Sequence, residues 1–341
     1  MSFDTQSVFK NLLEQHSLDE GTAKALMTAL GSGEVEPALA GAVLTALRIK
    51  GETAQEIRGF ALGMRELAVR PVLPDGDHVD IVGTGGDGSG SLNLSTGSAL
   101  LAAACGASVV KHGNRSVSSR SGSADVLRSL GLPLPLDETA AGECLTQTGF
   151  TFLFAPHYHP AMKHIAPVRA ALGARTVFNI LGPLSNPAEP PYHVIGAYSE
   201  AVAEVMAETL AGMPLERAFV IHGAEAWDEA TPIGPFVCFD VHGGQVTRTL
   251  RDPQDVGIAR CTATDLLGGD PDENCRRLRA ALCGEDSPAH HDALVLGAAL
   301  ALEVTGRAAS LEAGVTQARD SLAAGRGREL LARLAEFRPA S

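Results

Sequence analysis

Two short apolar runs, Val79–Val82 and Ser108–Lys111, each end in a polar, glycine-containing loop that is too long for a tight turn. The first opens into Gly83-Thr-Gly-Gly-Asp-Gly-Ser-Gly90 and runs on to Asn93-Leu-Ser-Thr96. The second becomes Lys111-His-Gly-Asn-Arg-Ser-Val-Ser-Ser119. Glycine lets successive backbone N–H groups turn inward with no Cβ in the way, and rows of such groups form concave anion sites. Two of them on consecutive strand ends point to a ligand with more than one phosphate. They also restrict the fold, because strands whose loops gather at one edge call for a parallel sheet.

The rest of the chain agrees with that constraint. Thr96–Cys105 and Ala124–Leu130 read as helices between the strands, and Phe150–Phe154, Val194–Tyr198 and Ala218–Ile221 continue the strand series, with helical Glu200–Gly212 before the last. The first seventy residues, by contrast, read as helices only. Ser17-Leu-Asp-Glu20 has capping-box spacing for a helix closing near Gly31-Ser-Gly33. Apolar residues recur at three- and four-residue steps in Ala38–Leu47 and Ile57–Leu67, and Thr53 is a fitting N-cap for the second. Arg70–Gly76, with two prolines and a glycine, reads as a linker. The expected architecture is α/β: a small all-helical domain, residues 1–70, and a larger α/β domain with a central, mostly parallel sheet, residues 76–158 and 190–341. Helical His159–Leu172 and the Pro/Asn-rich Leu181–Pro187 suggest that about 160–188 folds back onto the helical domain.

The formal net charge of −13 argues against general binding to nucleic acid or an anionic membrane. Against that background, Lys111, His112, Arg115 and Arg120 within ten residues mark a local anion contact. Six cysteines without a C-x-x-C pair read as reduced structural thiols, which suits a cytoplasmic protein. The N-terminus lacks the charge and apolar pattern of a secretion signal, and no window is apolar enough to span a bilayer.

Gly83, Gly85 and Gly88 match G-x-G-x-x-G, but the second strand ends in Lys111-His112 rather than the acid that a ribose hydroxyl needs, so a dinucleotide site fits poorly. A phosphate cradle fits better: Gly86, Asp87 and Ser91 line the loop, and Asn93–Thr96 stand where a helix presents unpaired N–H groups. Ser95 offers a hydroxyl to magnesium or serves as a simple cap. Asp228-Glu229, at the expected end of a strand, read either as solvated acids or, opposite a pyrophosphate, as Mg²⁺ ligands. His112, His157, His159 and His164 lack zinc-ligand spacing. Arg169, a lone cation in an apolar helix, suits a protein carboxylate or a substrate carboxylate.

Taken together, Gly83-Thr-Gly-Gly-Asp87, Asn93–Thr96, Lys111-His-Gly-Asn-Arg115, Phe154-Ala-Pro156 with His159-Pro160, Leu181-Gly-Pro-Leu-Ser-Asn-Pro187 and Asp228-Glu229 resemble, in type and order, the anthranilate phosphoribosyltransferases. The resemblance covers roughly residues 5–335. It implies transfer of a phosphoribosyl group from 5-phosphoribosyl 1-pyrophosphate (PRPP) to anthranilate in tryptophan biosynthesis, with Mg²⁺ (two ions per subunit) and a homodimer formed through the helical domain. It implies PRPP contacts from Gly83, Gly86, Asp87, Ser91, Asn93, Leu94, Ser95, Thr96, Lys111, His112, Gly113, Asn114, Arg115, Ser116, Val117, Ser118, Ser119 and Ser123. Metal ligands would be Ser95, Asp228 and Glu229; anthranilate would meet Gly83, Asn114, His159 and Arg169, with His112 and His159 along its approach. Lys111, His112 and Arg169 would carry the catalysis: Lys111 against the leaving charge, Arg169 aiming the acceptor, His112 taking the proton lost afterwards. Trp227 and Ala230-Thr231 depart from the residues common beside that acid pair. The nearest enzymatic alternative is a pyrimidine nucleoside phosphorylase of similar architecture; a nucleic-acid-binding relative would need a basic face that this chain lacks.

Overall fold

The computed structural model describes residues 3–115 and 121–340, so the expectations for Ser116, Val117, Ser118, Ser119 and Arg120 lie outside the described residues. The chain begins with four helices: α1 (Thr5–Leu13), α2 (Glu20–Ser32), α3 (Pro37–Lys50) and α4 (Ala54–Glu66). Thr53 caps α4 in a full capping box, its side chain accepting from Glu56 N–H while the Glu56 carboxylate accepts from Thr53 N–H. The cap of α2 is Asp19, which accepts from Thr22 N–H at 2.8 Å, and not Ser17. A carboxylate is the better partner for the N-terminal end of the helix dipole.

The α/β part runs β1 (His78–Gly83), α5 (Leu94–Ala104), β2 (Ser108–Gly113), α6 (Ser123–Ser129), α7 (Glu138–Thr148), β3 (Phe150–Phe154), then α8 (Ala155–Tyr158), α9 (Met162–Leu172) and α10 (Phe178–Leu184). It continues with β4 (Tyr192–Gly196), α11 (Glu200–Ala211), β5 (Arg217–His222), β6 (Phe236–His242), β7 (Gln245–Arg251), α12 (Pro271–Leu282), α13 (Pro288–Val304), α14 (Leu311–Ala323) and α15 (Arg326–Glu336). The strands form one seven-stranded sheet in the order β3-β2-β1-β4-β5-β6-β7. β3 through β5 in that order are parallel, whereas β6 and β7 join antiparallel. That antiparallel margin is a feature that the strand–helix alternation did not announce.

Side chains alternate across the inner strands, so the sheet is buried on both faces. Phe219 and Ile221 of β5 and Phe236 and Cys238 of β6 share one core with α5, α7, α12, α13, α14 and α15. Ala218, Val220, Val237, Phe239 and Val241 face the other core. That second core also holds Leu26, Met27, Val43, Leu44 and Phe60 of the N-terminal helices, Ile165 and Val168 of α9, and Phe178 and Leu181 of α10. The Pro/Asn-rich stretch Leu181–Pro187 begins inside α10, with Pro183 in the last turn of that helix.

Candidate active site

Strand order across the sheet reverses between β1 and β4, since β1 to β3 extend one way and β4 to β7 the other. Ligands in such sheets bind outside the strand carboxyl ends at this switch point, and β1 and β4 end there in Gly83 and Gly196. The loop after β5 crosses this gap and brings in Asp228 and Glu229. A Cβ on Gly83 would collide with the Asp228 carboxylate, one on Gly196 with the Asp228 carbonyl, and one on Gly223 with the Glu229 carbonyl. Three bare strand ends therefore give the acid pair its seat.

Each carboxylate is held by an N–H from the glycine loop or the next helix. Gly85 N–H donates to Asp228 Oδ2 at 2.5 Å, and Ser95 N–H, in the first turn of α5, donates to Glu229 Oε1 at 2.8 Å. Asp87 joins them: its Oδ2 accepts from Asp228 N–H at 3.4 Å, and its Oδ1 from Ser89 N–H and Oγ. Burial, then the nearby charge of Asp87, pushes the Asp228 carboxyl up to about 7. Burial, then Asp228 and Asp87, holds the Glu229 carboxyl well above the usual range. Glu229 Oε2 is buried with no hydrogen-bond partner among the described residues. Crowded acids with an orphaned oxygen fit a hard cation. Among the described residues no cluster of three or more His, Cys, Asp or Glu makes a ready-made metal cage; Mg²⁺ needs none, since it takes one or two carboxylates and completes its shell with phosphate and water.

Lys111 does not lie open on the cradle as expected. It is 1 % exposed, donates to the Ile81 carbonyl, and lies 3.4 Å from Ser95 Oγ. Burial lowers its pKa, opposed by the nearby carboxylates of Asp80, Glu229 and Asp228. His112 is also buried, with Nδ1 3.1 Å from the Gly182 carbonyl and its ring 5.0 Å from that of His159. Burial, then His159, lowers it to about 3, and burial lowers His159 to about 4. Both rings are neutral at pH 7, which makes His112 a weak acceptor for the proton assigned to it. The expected start of α5 at Thr96 moves to Leu94. Asn93 does not cap it with its side chain, but bridges the Ser121 carbonyl and Asn274.

The other expected residues are distributed around this centre. Thr96 Oγ1 donates to Ser123 Oγ at 3.1 Å, and the Asn114 carbonyl accepts from Ala124 N–H, so the loop after β2 stays tied to the start of α6. Asn114 and Arg115 are exposed, Gly113 ends β2, and Leu94 is buried beneath. Ser91 forms an isolated antiparallel bridge with Leu267. Arg169 is half-buried on α9, 5.4 Å over the Phe178 ring, with no acidic partner among the described residues. Trp227, Ala230 and Thr231, which flank the acid pair in sequence, are buried.

Sequence reasoning missed several contributors. Asp80 is fully buried on β1, accepts from His112 N–H at 3.2 Å, and is held by Asn186 Nδ2 at 2.8 Å; the same Asn186 amide reaches the Val110 carbonyl at 2.9 Å. Burial raises the Asp80 carboxyl to about 6, against the pull of Lys111. The Leu181–Pro187 motif thus serves as a buried clamp across β1 and β2. Gly196 and Gly223 were legible in principle, since each ends an apolar run as Gly83 does. Arg175, which donates to the Gly86 carbonyl, carried no sequence signal.

Residues 75–328 match the α/β domain of the glycosyl transferase family, and residues 6–68 its helical bundle domain. An anthranilate phosphoribosyltransferase of Desulforudis audaxviator is 46% identical over 332 residues, covering 97% of this chain and 96% of the relative. The crystal structure of anthranilate phosphoribosyltransferase from Thermus thermophilus superposes with a TM-score of 0.91 at 43% identity, covering 97% of this chain and 98% of that one. The chain belongs to the anthranilate phosphoribosyltransferase family. It is a phosphoribosyl-transferring enzyme. The Saccharomyces cerevisiae family member in complex with PRPP and Mg has the same fold, with a TM-score of 0.89 at 26% identity over 97% of each chain. Among the described residues, this anthranilate phosphoribosyltransferase family member has no helix long and apolar enough to cross a membrane.

Proposed function

We propose that the chain carries out its family's reaction at the β1–β4 switch point: the phosphoribosyl group of PRPP passes to the amine of anthranilate, giving N-(5-phosphoribosyl)anthranilate and pyrophosphate for tryptophan biosynthesis. The supporting observation is that the glycine loop, the first turn of α5 and the acid pair are hydrogen-bonded to one another through Gly85–Asp228 and Ser95–Glu229. In this reading Gly83, Gly86, Asp87, Ser91 and Leu94 to Thr96 surround the diphosphate. The Lys111 cation needs no direct exposure to it, because its charge acts on the nearby carboxylates of Glu229 and Asp228. Asp228, Glu229 and the Ser95 hydroxyl hold Mg²⁺, two ions per subunit. When bound, Mg²⁺ supplies positive charge where the leaving pyrophosphate gathers negative charge.

Arg169 takes the anthranilate carboxylate, with Gly83, Asn114 and His159 around the ring. An aromatic amine is already neutral near pH 7, so attack on ribose C1 calls for orientation rather than a strong base. That suits a site whose histidines stay neutral. We assign residues 160–188 to the helical domain with 1–70, because α9 and α10 share its core. We assign a homodimer to that domain, where Leu13 and Ile49 are exposed apolar residues, and a cytoplasmic location. The test is anthranilate fluorescence: it should fall only when PRPP, Mg²⁺ and protein are all present. Loss without PRPP, or phosphorolysis of a pyrimidine nucleoside in its place, overturns the assignment.

A further inference from the structure

Arg175 lies in the connection between α9 and α10, on the side of the helical unit, and the roles assigned above leave it unused. Its Nη2 donates to the Gly86 carbonyl at 2.5 Å, and its guanidinium carbon lies 4.0 Å from the centroid of the Tyr198 ring. Gly86 belongs to the loop after β1, and Tyr198 follows the end of β4. Tyr198 N–H in turn donates to Thr84 Oγ1 at 3.2 Å. One side chain therefore spans from the helical unit to the loops on both strands that flank the switch point.

The loop it grips has little rigidity of its own. Gly85, Gly86, Gly88 and Gly90 all adopt positive φ, between 61° and 77°. A chain so rich in glycine rotates its peptide groups easily. Each peptide is planar and trans, so drawing the Gly86 carbonyl towards Arg175 turns the Asp87 N–H to the opposite side. Asp87, beside the Gly85 N–H, is a second link from the loop to the acid pair, through Asp228 N–H. Holding one carbonyl thus orients the central peptide of the loop and the carboxylate beside it. A guanidinium can stack on a ring with its plane and donate from its edge at once, which an ammonium cannot.

We propose that Arg175 is a positioning residue for the phosphate-bearing substrate: stacked on Tyr198 and bonded to Gly86, it sets the glycine loop in its binding form and ties that form to the placement of the helical unit carrying Arg169. The inference rests on the PRPP reading above. The experiment is steady-state kinetics on the full-length chain, varying each substrate separately, for wild type, Arg175→Ala, Arg175→Lys and Tyr198→Ala, with an unfolding temperature for each. Arg175→Ala should raise the PRPP KM about tenfold, the equivalent of roughly 1.4 kcal/mol, while the anthranilate KM stays within about twofold. Arg175→Lys should recover little of that loss, and Tyr198→Ala should shift the PRPP KM in the same direction. Arg175 is exposed, so the unfolding temperature of its variants should stay near wild type. A PRPP KM within about twofold of wild type in Arg175→Ala overturns the proposal, as does full rescue by lysine or an equal rise in both KM values. If wild type itself shows no turnover with PRPP and anthranilate, the underlying functional reading falls, and this inference with it.

Discussion

Replacing Asp228 by Asn should make the metal-free protein more stable at pH 8, although it removes a residue assigned to the site. The Asp228 carboxyl stands at about 7 in the folded protein against 3.8 as its ordinary value. At roughly 1.36 kcal/mol per pH unit, that difference is a destabilisation of about 4 kcal/mol once the pH passes 7. The sign follows from proton counting: between 3.8 and 7 the unfolded chain has lost the proton that the folded chain keeps, so stability falls as pH rises across that window. Burial is the larger cause and the charge of Asp87 the second; Asn is itself polar and still buried, so removing the charge returns about half, or about 2 kcal/mol. For 341 residues this corresponds to a rise of about 3 °C in Tm. Asn keeps an oxygen for the Gly85 N–H and gains a donor towards Asp87. The assay is thermal unfolding in EDTA at pH 8 and pH 5; the gain at pH 5 should be less than half that at pH 8. Saturating Mg²⁺ should raise the wild-type Tm and leave the variant nearly unmoved, reversing their order. A variant less stable than wild type by the same amount at both pH values refutes the picture of crowded, cation-seeking carboxylates.

Arg169→Ala should raise the anthranilate KM at least about tenfold, with the PRPP KM changed far less, because the guanidinium has no acidic protein partner among the described residues; equal shifts in both would make Arg169 structural. Gly196→Ala forces a Cβ into the Asp228 carbonyl, and the resulting displacement should lower kcat about 100-fold or more; near-normal turnover would mean that the acid pair is not seated as described. Asn186→Ala removes a buried donor from Asp80, costing about 1.5–3 kcal/mol and about 2–4 °C in Tm. Asn186 favours the ionised Asp80 carboxyl, whose pKa is about 6, so this loss should be greater at pH 8 than at pH 5.

Much of the architecture was legible because it is local. The Thr53 capping box, the end of α2 at Gly33 and strand β3 lie at or within a residue or two of their expected places. Misplacements came where two local signals competed. Ser17 and Asp19 both offer a cap, and charge favours the aspartate; Val194–Tyr198 is as apolar as the true strand, but register with β1 and β5 selects Tyr192–Gly196. Lys111 and His112 looked like open cations because a window of ten residues shows charge and not depth. Their strand is flanked by β1 and β3 and covered on both faces, and there burial decides whether a base keeps its proton.

The sequence by itself determined the N-terminal helices, the parallel strands and the glycine-rich loop after β1, since caps, periodicity and turn residues act over a few positions. Tertiary structure alone decided that Asp228 meets Gly85, 143 residues away, that Lys111 is buried near the acids, and that Arg175 reaches Gly86 across 89 residues. Those contacts depend on which strands become neighbours and which groups lose their water. Both are properties of the assembled sheet, and no stretch of chain a few residues long contains them.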